Sequence, residues 1–359
     1  MHVQLLRSLL ALGLALGLVG VGQGMGSAAF VPIPPSPVPG IAVDGVVRAV
    51  VVGNGVAYVG GDFTSARGSN GTFPRARVAA FNVKTGEVLP FRSDASAVVR
   101  ALALRGSSLF VGGDFTTISG QSRSRLAEVD AGTGALVTGF KVNATGSVRA
   151  MAVGGDRLYV GGNFGQIAGV AQPRAAAIDL TTRTLATGFR PTVDATVAAV
   201  TTTATGDKAY FGGGFVNFNG QGRRYLAGVD AVGASLPVTF ALSNDYGVQA
   251  LDLNDDGSRV FAAIGGSGNQ AAAFNATTGT KLWRQRAMGD VQAVAYEAGN
   301  VYFGFHEGFE NDLTLRLLAA DAQTGALENF RPPVNSFYGV RGLGRHQERS
   351  PRGWRVHHR

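Results

Sequence analysis

An internal repeat is the feature of this sequence that most constrains its fold. Six segments share one pattern, in which a strand-like run beginning Val-x-Ala leads through a turn into a second apolar run. They begin at Val47, Val99, Val148, Val197, Val248 and Val291, so the steps are 52, 49, 49, 51 and 43 residues. The first three read VRAVVVGNGVAYVGGDF, VRALALRGSSLFVGGDF and VRAMAVGGDRLYVGGNF. A unit of this length cannot bury its apolar faces alone, so neighbouring copies must stack on one another.

A second half-repeat follows each segment and turns at a cluster of Gly, Thr, Asp and Asn residues. It reads RVAAFNVKTGEVLPF in the first copy, RLAEVDAGTGALVTGF in the second and LRLLAADAQTGALENF in the sixth. Short apolar runs joined by such turns predict two β-hairpins per copy. Six copies of about 50 residues predict an all-β fold, a β-propeller of four-stranded blades with six full blades and a broken seventh. The alternative is a linear array of β-sandwiches, with units of roughly 100 residues.

Glycine pairs and phenylalanines recur at fixed places in the repeat. Glycine has no Cβ, so we expect the backbone there to adopt positive φ or to approach a neighbouring blade closely. The Phe residues are predicted to pack inside the blades, because a residue repeated in every copy cannot mark one unique site. The pairs are Gly60–Gly61, Gly112–Gly113, Gly161–Gly162 and Gly212–Gly213; the Phe residues are Phe63, Phe115, Phe164 and Phe215 after the second strand, and Phe91, Phe140, Phe189, Phe240 and Phe330 after the fourth.

Residues 1–29 have the pattern of a secretory signal peptide. One Arg precedes a purely apolar run from Leu9 to Val21, and small residues follow up to Ala28 and Ala29. The alternative is a membrane anchor, but the run is shorter than the ~20 residues of a spanning helix. We therefore expect a secreted or cell-surface protein with no membrane insertion after cleavage. Residues 30–46 are predicted to form a Pro-rich leader and the start of the first blade, and residues 47–339 the propeller.

Composition limits the classes of partner. The chain has no Cys, and a mature chain of this length can bury enough apolar surface to fold without disulfides. The formal net charge is +8, but residues 341–359 carry six Arg against one Glu. The repeats are therefore close to neutral. They lack the basic stripe with interspersed aromatic residues that indicates nucleic-acid binding, so we expect no nucleic-acid partner.

The repeat unit resembles that of a known family. Units of the form VRALAL…LFVGGDFT…RLAEVDAGTGAL…F are similar to the delta-60 type repeat of secreted bacterial β-propeller proteins, from Val47 to about Phe330. FNATTGTKLWRQR, from Phe274 to Arg286, also resembles one repeat of quinoprotein-type propellers, some of which bind pyrroloquinoline quinone to oxidise alcohols. Those enzymes commonly place two adjacent Cys against the quinone, and this chain has none. Kelch propellers share the glycine pair but add a Trp to each blade, whereas the repeats here contain only Trp283.

Residues with catalytic chemistry are scarce. His2 lies in the signal peptide and three other His lie in the terminal segment, which leaves His306 alone in the repeats. One His forms neither a metal cluster nor a catalytic triad, so we interpret it as a loop residue. The sequence thus predicts no catalytic, cofactor-binding or metal-binding residue, and no cofactor. The terminal His residues are His346, His357 and His358.

Two patterns of charged residues remain open to a functional or a structural interpretation. DLNDDG begins like a calcium loop, with oxygen ligands at Asp252, Asn254 and Asp256, but Ala263 stands where the bidentate acid belongs. A hairpin turn is the favoured interpretation. Ion pairs within the blades are predicted from Asp62 to Arg77 and from Asp114 to Arg125, and Tyr225 at the equivalent position of the fourth copy shows that such a pair is dispensable.

Two links between second and third strands depart from the repeat. TSARGSNGTFPR, residues 64–75, is the longest, and FHEGFENDLTLR, residues 305–316, replaces a Gly-rich link with three acids and two Phe. Loops on a rigid scaffold often carry binding, so these are candidate surfaces, but the favoured interpretation of both is a tolerated surface insertion. The favoured function is a secreted, non-enzymatic propeller that binds a protein or glycan. The alternative is a propeller enzyme, either quinoprotein-like or polysaccharide-active.

Residues 340–359 form an aberrant basic tail. The unit after Phe330 begins on time with VRGLG at Val340, 49 residues after Val291, and the repeat is then lost in a segment that ends SPRGWRVHHR. We interpret the tail as a seventh repeat translated in the wrong reading frame. A shift forward by one base forces Gly at Trp354, and permitted codons allow GAWAATRSEVLAGGEFTT after Val340, which restores the glycine pair. The tail is then expected to have no binding role.

Overall fold

Every regular element of the described chain is a β-strand, and every strand pairing is antiparallel. The structure is a computed structural model that describes residues 41–242, 247–266, 268–310, 312–332 and 341–344. The all-β class predicted from the repeat is confirmed. The signal peptide, residues 30–40 of the leader, and residues 340 and 345–359 of the tail lie outside the described residues, so their interpretation stays a prediction.

Each of the first three repeats forms one antiparallel sheet, here called a blade, in which consecutive long strands are neighbours. The strands of the first blade region are β1 (Ala42–Val43), β2 (Val46–Gly53), β3 (Val56–Asp62), β4 (Ser65–Gly68), β5 (Gly71–Pro74) and β6 (Val78–Asn82). Those of the second are β7 (Val99–Arg105), β8 (Ser108–Gly113), β9 (Thr117–Ile118), β10 (Gln121–Ser122) and β11 (Leu126–Asp130). Those of the third are β12 (Val148–Gly154), β13 (Arg157–Gly162), β14 (Gln166–Ile167), β15 (Val170–Ala171), β16 (Ala175–Asp179) and β17 (Thr184–Leu185).

The next three repeats form blades of the same order. The strands of the fourth are β18 (Val197–Thr202), β19 (Lys208–Gly213), β20 (Asn217–Phe218), β21 (Gln221–Gly222) and β22 (Leu226–Asp230). Those of the fifth are β23 (Val248–Leu253), β24 (Arg259–Ile264), β25 (Gln270–Asn275) and β26 (Lys281–Arg286). Those of the sixth are β27 (Val291–Glu297), β28 (Asn300–Phe305) and β29 (Leu317–Asp321).

The fourth strand of most blades is shorter than the sequence predicts. Only the third and fifth blades have one, β17 and β26, whereas a single β-bridge such as Phe81 with Val88 takes its place in the others. This strand is the outer edge of the blade, and a short edge leaves few unpaired backbone groups for another chain. The link between second and third strands is more ordered than predicted, because in the first four blades it contains a small hairpin.

Successive blades pack through the first glycine of each pair. A Cβ added to Gly60 would lie 2.5 Å from Cγ1 of Val99 in the next blade, and one added to Gly161 would lie 2.4 Å from Cγ1 of Val197. These distances are too short for a real side chain, which explains why the position is glycine. The first strands of successive blades, β2, β7, β12, β18, β23 and β27, are therefore neighbours and form the inner side of the propeller.

Aromatic pairs hold the outer part of five of the six described blades to the inner part. Tyr159 on the second strand meets Phe189 after the fourth edge-to-face, with 5.4 Å between ring centroids. Both rings are fully buried, as are most recurring Phe residues, so their predicted role in packing is supported by the structure. The equivalent pairs are Tyr58 with Phe91, Phe110 with Phe140, Tyr210 with Phe240 and Tyr302 with Phe330.

The segment 341–344 lies against the first blade. A Cβ on Gly342 would be 3.1 Å from the carbonyl carbon of Arg48, and one on Gly344 would be 2.7 Å from the carbonyl oxygen of Val50. The chain that follows the sixth repeat therefore returns to β2, the inner strand of the first blade.

Candidate functional site

A β-bulge interrupts the first strand of every described blade at the same place. In the first blade Val47 lies opposite Gly61 and Ala49 lies opposite Gly60, so Arg48 is an extra residue with no partner across the ladder. The other five blades repeat this register shift. A bulge redirects the side chain of its extra residue. We call the six extra residues the bulge ring: Arg48, Arg100, Arg149, Ala198, Gln249 and Gln292.

The bulges mark one end of the propeller. They lie where the first strand of each blade begins and the second strand ends, and we call this end the bulge face. The links from second to third strands start there, so both loops singled out from the sequence, residues 64–75 and 305–316, belong to the same face as the bulge ring. The hairpin turns between first and second strands lie at the opposite end.

Arg48 lies among charged groups of both signs. Burial lowers the pKa of its guanidinium, the charges of Arg100 and Arg341 lower it further, and Asp62 and Asp114 oppose them. Its Nε is buried and has no hydrogen-bond partner among the described residues. The guanidinium of Arg48 is thus half-buried without a full set of hydrogen-bond acceptors among the described residues.

The ion pairs of the bulge face are only partly those predicted. The predicted pair of Asp62 with Arg77 is present, with 3.8 Å between Oδ1 and Nε. Asp114 pairs with Arg100 instead of Arg125, with 2.6 Å between Oδ2 and Nη2. The reason is geometric, since the bulge directs Arg100 towards the end of the second strand, where Asp114 follows Gly113. Burial raises the pKa of Asp114, but the hydrogen bonds and the charge of Arg100 contribute to a net lowering.

The link of residues 64–75 is an ordered part of the first blade. It forms the hairpin β4–β5, and β1 pairs with β4 on its other side. Its tip folds over the outer edge of the blade, where the side chain of Asn70 exchanges two 3.0 Å hydrogen bonds with the backbone of Val88. Buried Arg75 donates to the carbonyl of Leu89. This insertion therefore covers an edge strand rather than forming a free loop.

The link of residues 305–316 combines a buried aromatic base with exposed acidic side chains, those of Glu307, Glu310 and Asp312. Phe305 and Phe309 are buried, with 5.7 Å between their rings, and Leu313 is 58% exposed. His306 lies at the start of the link, where its backbone N–H donates to the carbonyl of Asp290 and its own carbonyl accepts from Arg316. These contacts place His306 in the framework of the loop.

DLNDDG forms a hairpin turn between β23 and β24. The carboxylate of Asp256 accepts a hydrogen bond from the backbone N–H of Ser258. The side-chain oxygen of Asn254 accepts a hydrogen bond from the backbone N–H of Arg259. Asp252 accepts from the N–H of Tyr296 in the next blade, 2.7 Å away. The three side chains thus serve the turn and the blade contact. Within the described residues, no group of three or more His, Cys, Asp or Glu is arranged to hold a metal ion.

Sequence reasoning missed the bulge ring, although a signal for it was present. The second residue of the repeat reads Arg, Arg, Arg, Ala, Gln and Gln through the six copies, while the Val before it never changes. This position forms the same β-bulge in every described blade, but its side chain differs from one part of the ring to another. It therefore gives one side of the ring a different chemistry from the other side. The described part of the chain also contains no helix long and apolar enough to cross a membrane.

The class of protein follows from the fold: antiparallel blades that succeed one another around their first strands define a β-propeller. No protein-family model matches the chain, and no curated protein has significant sequence similarity to it. Solved structures do resemble it. A chain in the crystal structure of the Mitotic Checkpoint Complex matches with a TM-score of 0.62 and 15% identity, over 92% of this chain and 91% of that one. The β-propeller domain of Cps50 (Swd1) from Myceliophteria thermophila matches with a TM-score of 0.55 and 13% identity, over 81% and 87%. These likenesses show the fold alone.

Proposed function

We propose that this protein is a secreted, non-enzymatic β-propeller that binds a protein or glycan on its bulge face. The observation that carries the proposal is the bulge ring, where one repeated backbone feature presents Arg on one side and Ala or Gln on the other. A rigid scaffold with varied side chains at one end suits recognition, which requires preorganised groups. One of the similar structures is a complex of the mitotic checkpoint, which supports a scaffold role by analogy of fold.

The alternative, a propeller enzyme, lacks a supporting arrangement in the described residues. The segment that resembles a quinoprotein repeat comprises the end of β25, the following turn and β26 in the fifth blade. The ring of its Trp283 lies tilted against that of Phe261, with 6.0 Å between centroids, and its indole N–H donates to the carbonyl of Ala322 in the sixth blade. That residue therefore joins two blades.

The test is a glycan array probed with the mature protein, together with its absorbance after addition of pyrroloquinoline quinone and calcium. We expect saturable binding to a subset of glycans and no bound chromophore. A bound chromophore with dye-linked alcohol oxidation would favour the enzyme. If no glycan binds, the proposal that the ligand is a protein is tested by immobilising the mature protein and measuring which proteins it retains.

Secretion needs its own measurement, because the signal peptide lies outside the described residues. We expect exported protein to begin close to Ala29 or Phe30. N-terminal sequencing of protein from the culture medium checks this, and retention of the uncleaved chain with the cells would contradict it.

A further inference from the structure

Three arginines lie on neighbouring inner strands. Arg48, Arg100 and Arg149 occupy the bulges of β2, β7 and β12. We call these three residues the arginine arc.

The carboxylates near the arc do not neutralise it. Asp114 is bonded to Arg100, and Asp62 is paired with Arg77, which lies outside the arc. Neither Arg48 nor Arg149 has a hydrogen bond or ion pair with another described residue through its guanidinium. A guanidinium carries five N–H donors, and like charges held close together favour an anion between them. The arc therefore has donors available for an oxyanion.

The rest of the ring has a different chemistry. Gln249 and Gln292 occupy the bulges of β23 and β27, and Ala198 leaves space in the bulge of β18. The Oε1 atom of Gln292 is buried and lacks a hydrogen-bond partner in the described part of the chain. Amides donate and accept hydrogen bonds, which suits hydroxyl groups.

We infer that the bulge ring binds an acidic saccharide, with its carboxylate or sulfate at the arginine arc and its hydroxyls at the glutamines. The inference rests on the proposed binding function and names its ligand class. An acidic peptide would satisfy the arginines but offers few hydroxyls to the amide side. A neutral saccharide would leave the arginine donors without acceptors, which is costly once water is excluded.

The experiment measures affinity by calorimetry for four probes: an oligogalacturonate, a sulfated dextran oligosaccharide, a neutral dextran oligosaccharide and an oligoglutamate. The first two distinguish a carboxylate from a sulfate. We expect one or both to bind, with affinity that falls as salt increases. Arg48→Gln and Arg149→Gln should each weaken that binding by about tenfold, the loss of one charge-assisted hydrogen bond.

The matched control is Arg284→Gln, which removes an exposed charge on β26 at the outer edge of the fifth blade. It should leave affinity unchanged. Arg149 is exposed, so its variant keeps the test valid if the half-buried Arg48 variant does not fold. Equal binding of oligoglutamate, or unchanged affinity in both ring variants, would overturn the inference. If the protein binds a neutral glycan or another protein, and neither arginine variant changes that affinity, the inference is wrong but the proposed binding function stands. If the protein binds no ligand at all, both the inference and the proposed function are contradicted.

Discussion

Arg183 of the third blade contacts Glu128 of the second, with 2.9 Å between Nε and Oε2 and 3.2 Å between Nη2 and Oε1. The Glu128 side chain is only 2% exposed, and the hydroxyl of Ser108 also donates to it. Arg183→Ala leaves this buried carboxylate without its counter-charge. We expect the free energy of unfolding to fall by about 2 kcal/mol, below the range of a fully buried pair because Arg183 is half-exposed.

Urea unfolding measures this loss. Arg284→Ala, which removes an exposed arginine on β26, should change stability by less than about 0.5 kcal/mol. Adding Glu128→Gln to Arg183→Ala should recover part of the loss, because the buried charge is then gone. Equal stability of Arg183→Ala and the parent would contradict the assignment.

Gly161→Ala tests the close approach of the third and fourth blades. The added Cβ would lie 2.4 Å from Cγ1 of Val197 and 2.8 Å from Cγ2 of Val200, so we expect destabilisation by about 1–3 kcal/mol from overpacking. Gly188→Ala is the matched control, since no atom lies within 4 Å of its added Cβ. Combining Gly161→Ala with Val197→Ala should cost less than the sum of the two single changes, and strict additivity would argue against the contact.

Acid should destabilise the protein through carboxylates that accept hydrogen bonds from turns. Burial raises the pKa of Asp44, but bonds from Thr64 and Ser65 lower it to about 2 from an ordinary value of 3.8. The pKa values of Asp130 and Asp179 are also lowered, each chiefly by hydrogen bonds within its turn. A lowered pKa contributes stability above the unfolded value, and that stability is lost as pH falls through the folded one.

We therefore expect the melting temperature to fall between pH 4 and pH 2. Asp44→Asn keeps an acceptor oxygen but cannot titrate, so its melting temperature should depend less on pH across this window. Glu310→Gln, at an exposed position of the acidic link, should follow the parent. A pH dependence of Asp44→Asn identical to that of the parent would show that Asp44 does not contribute.

The reading-frame hypothesis is tested in the gene. Resequencing across the codons for Val340 to Arg359 should show an open shifted frame that continues with a third-strand pattern like RLA and a following TG turn. A stop codon early in that frame would refute the hypothesis. If the frame is restored, we expect the added third-strand and fourth-strand patterns to complete a seventh blade and to raise the melting temperature, because a completed blade leaves fewer sheet edges unpaired.

The sequence was sufficient to predict the blades, because their strands are set by local apolar runs and turn residues that recur six times. The glycine pairs and Phe residues were likewise predictable, since packing between identical units demands the same residue in each. The bulges were not, because a single unpaired residue leaves no mark in apolar periodicity. The partner of Asp114 was mistaken for the same reason: only the bulge brings Arg100 to it. The order of residues 64–75 depends on contacts of Asn70 with the blade edge, which composition does not reveal.

The central claim, that this propeller binds its ligand without transforming it, is tested most directly by mass spectrometry of the ligand. The glycan selected on the array would be incubated with the mature protein for many hours, at a ligand excess over the sites, and then recovered. We predict an unchanged mass for all of the recovered glycan alongside saturable binding that weakens in Arg149→Gln. Accumulation of a cleaved or oxidised product in proportion to protein concentration would contradict the account.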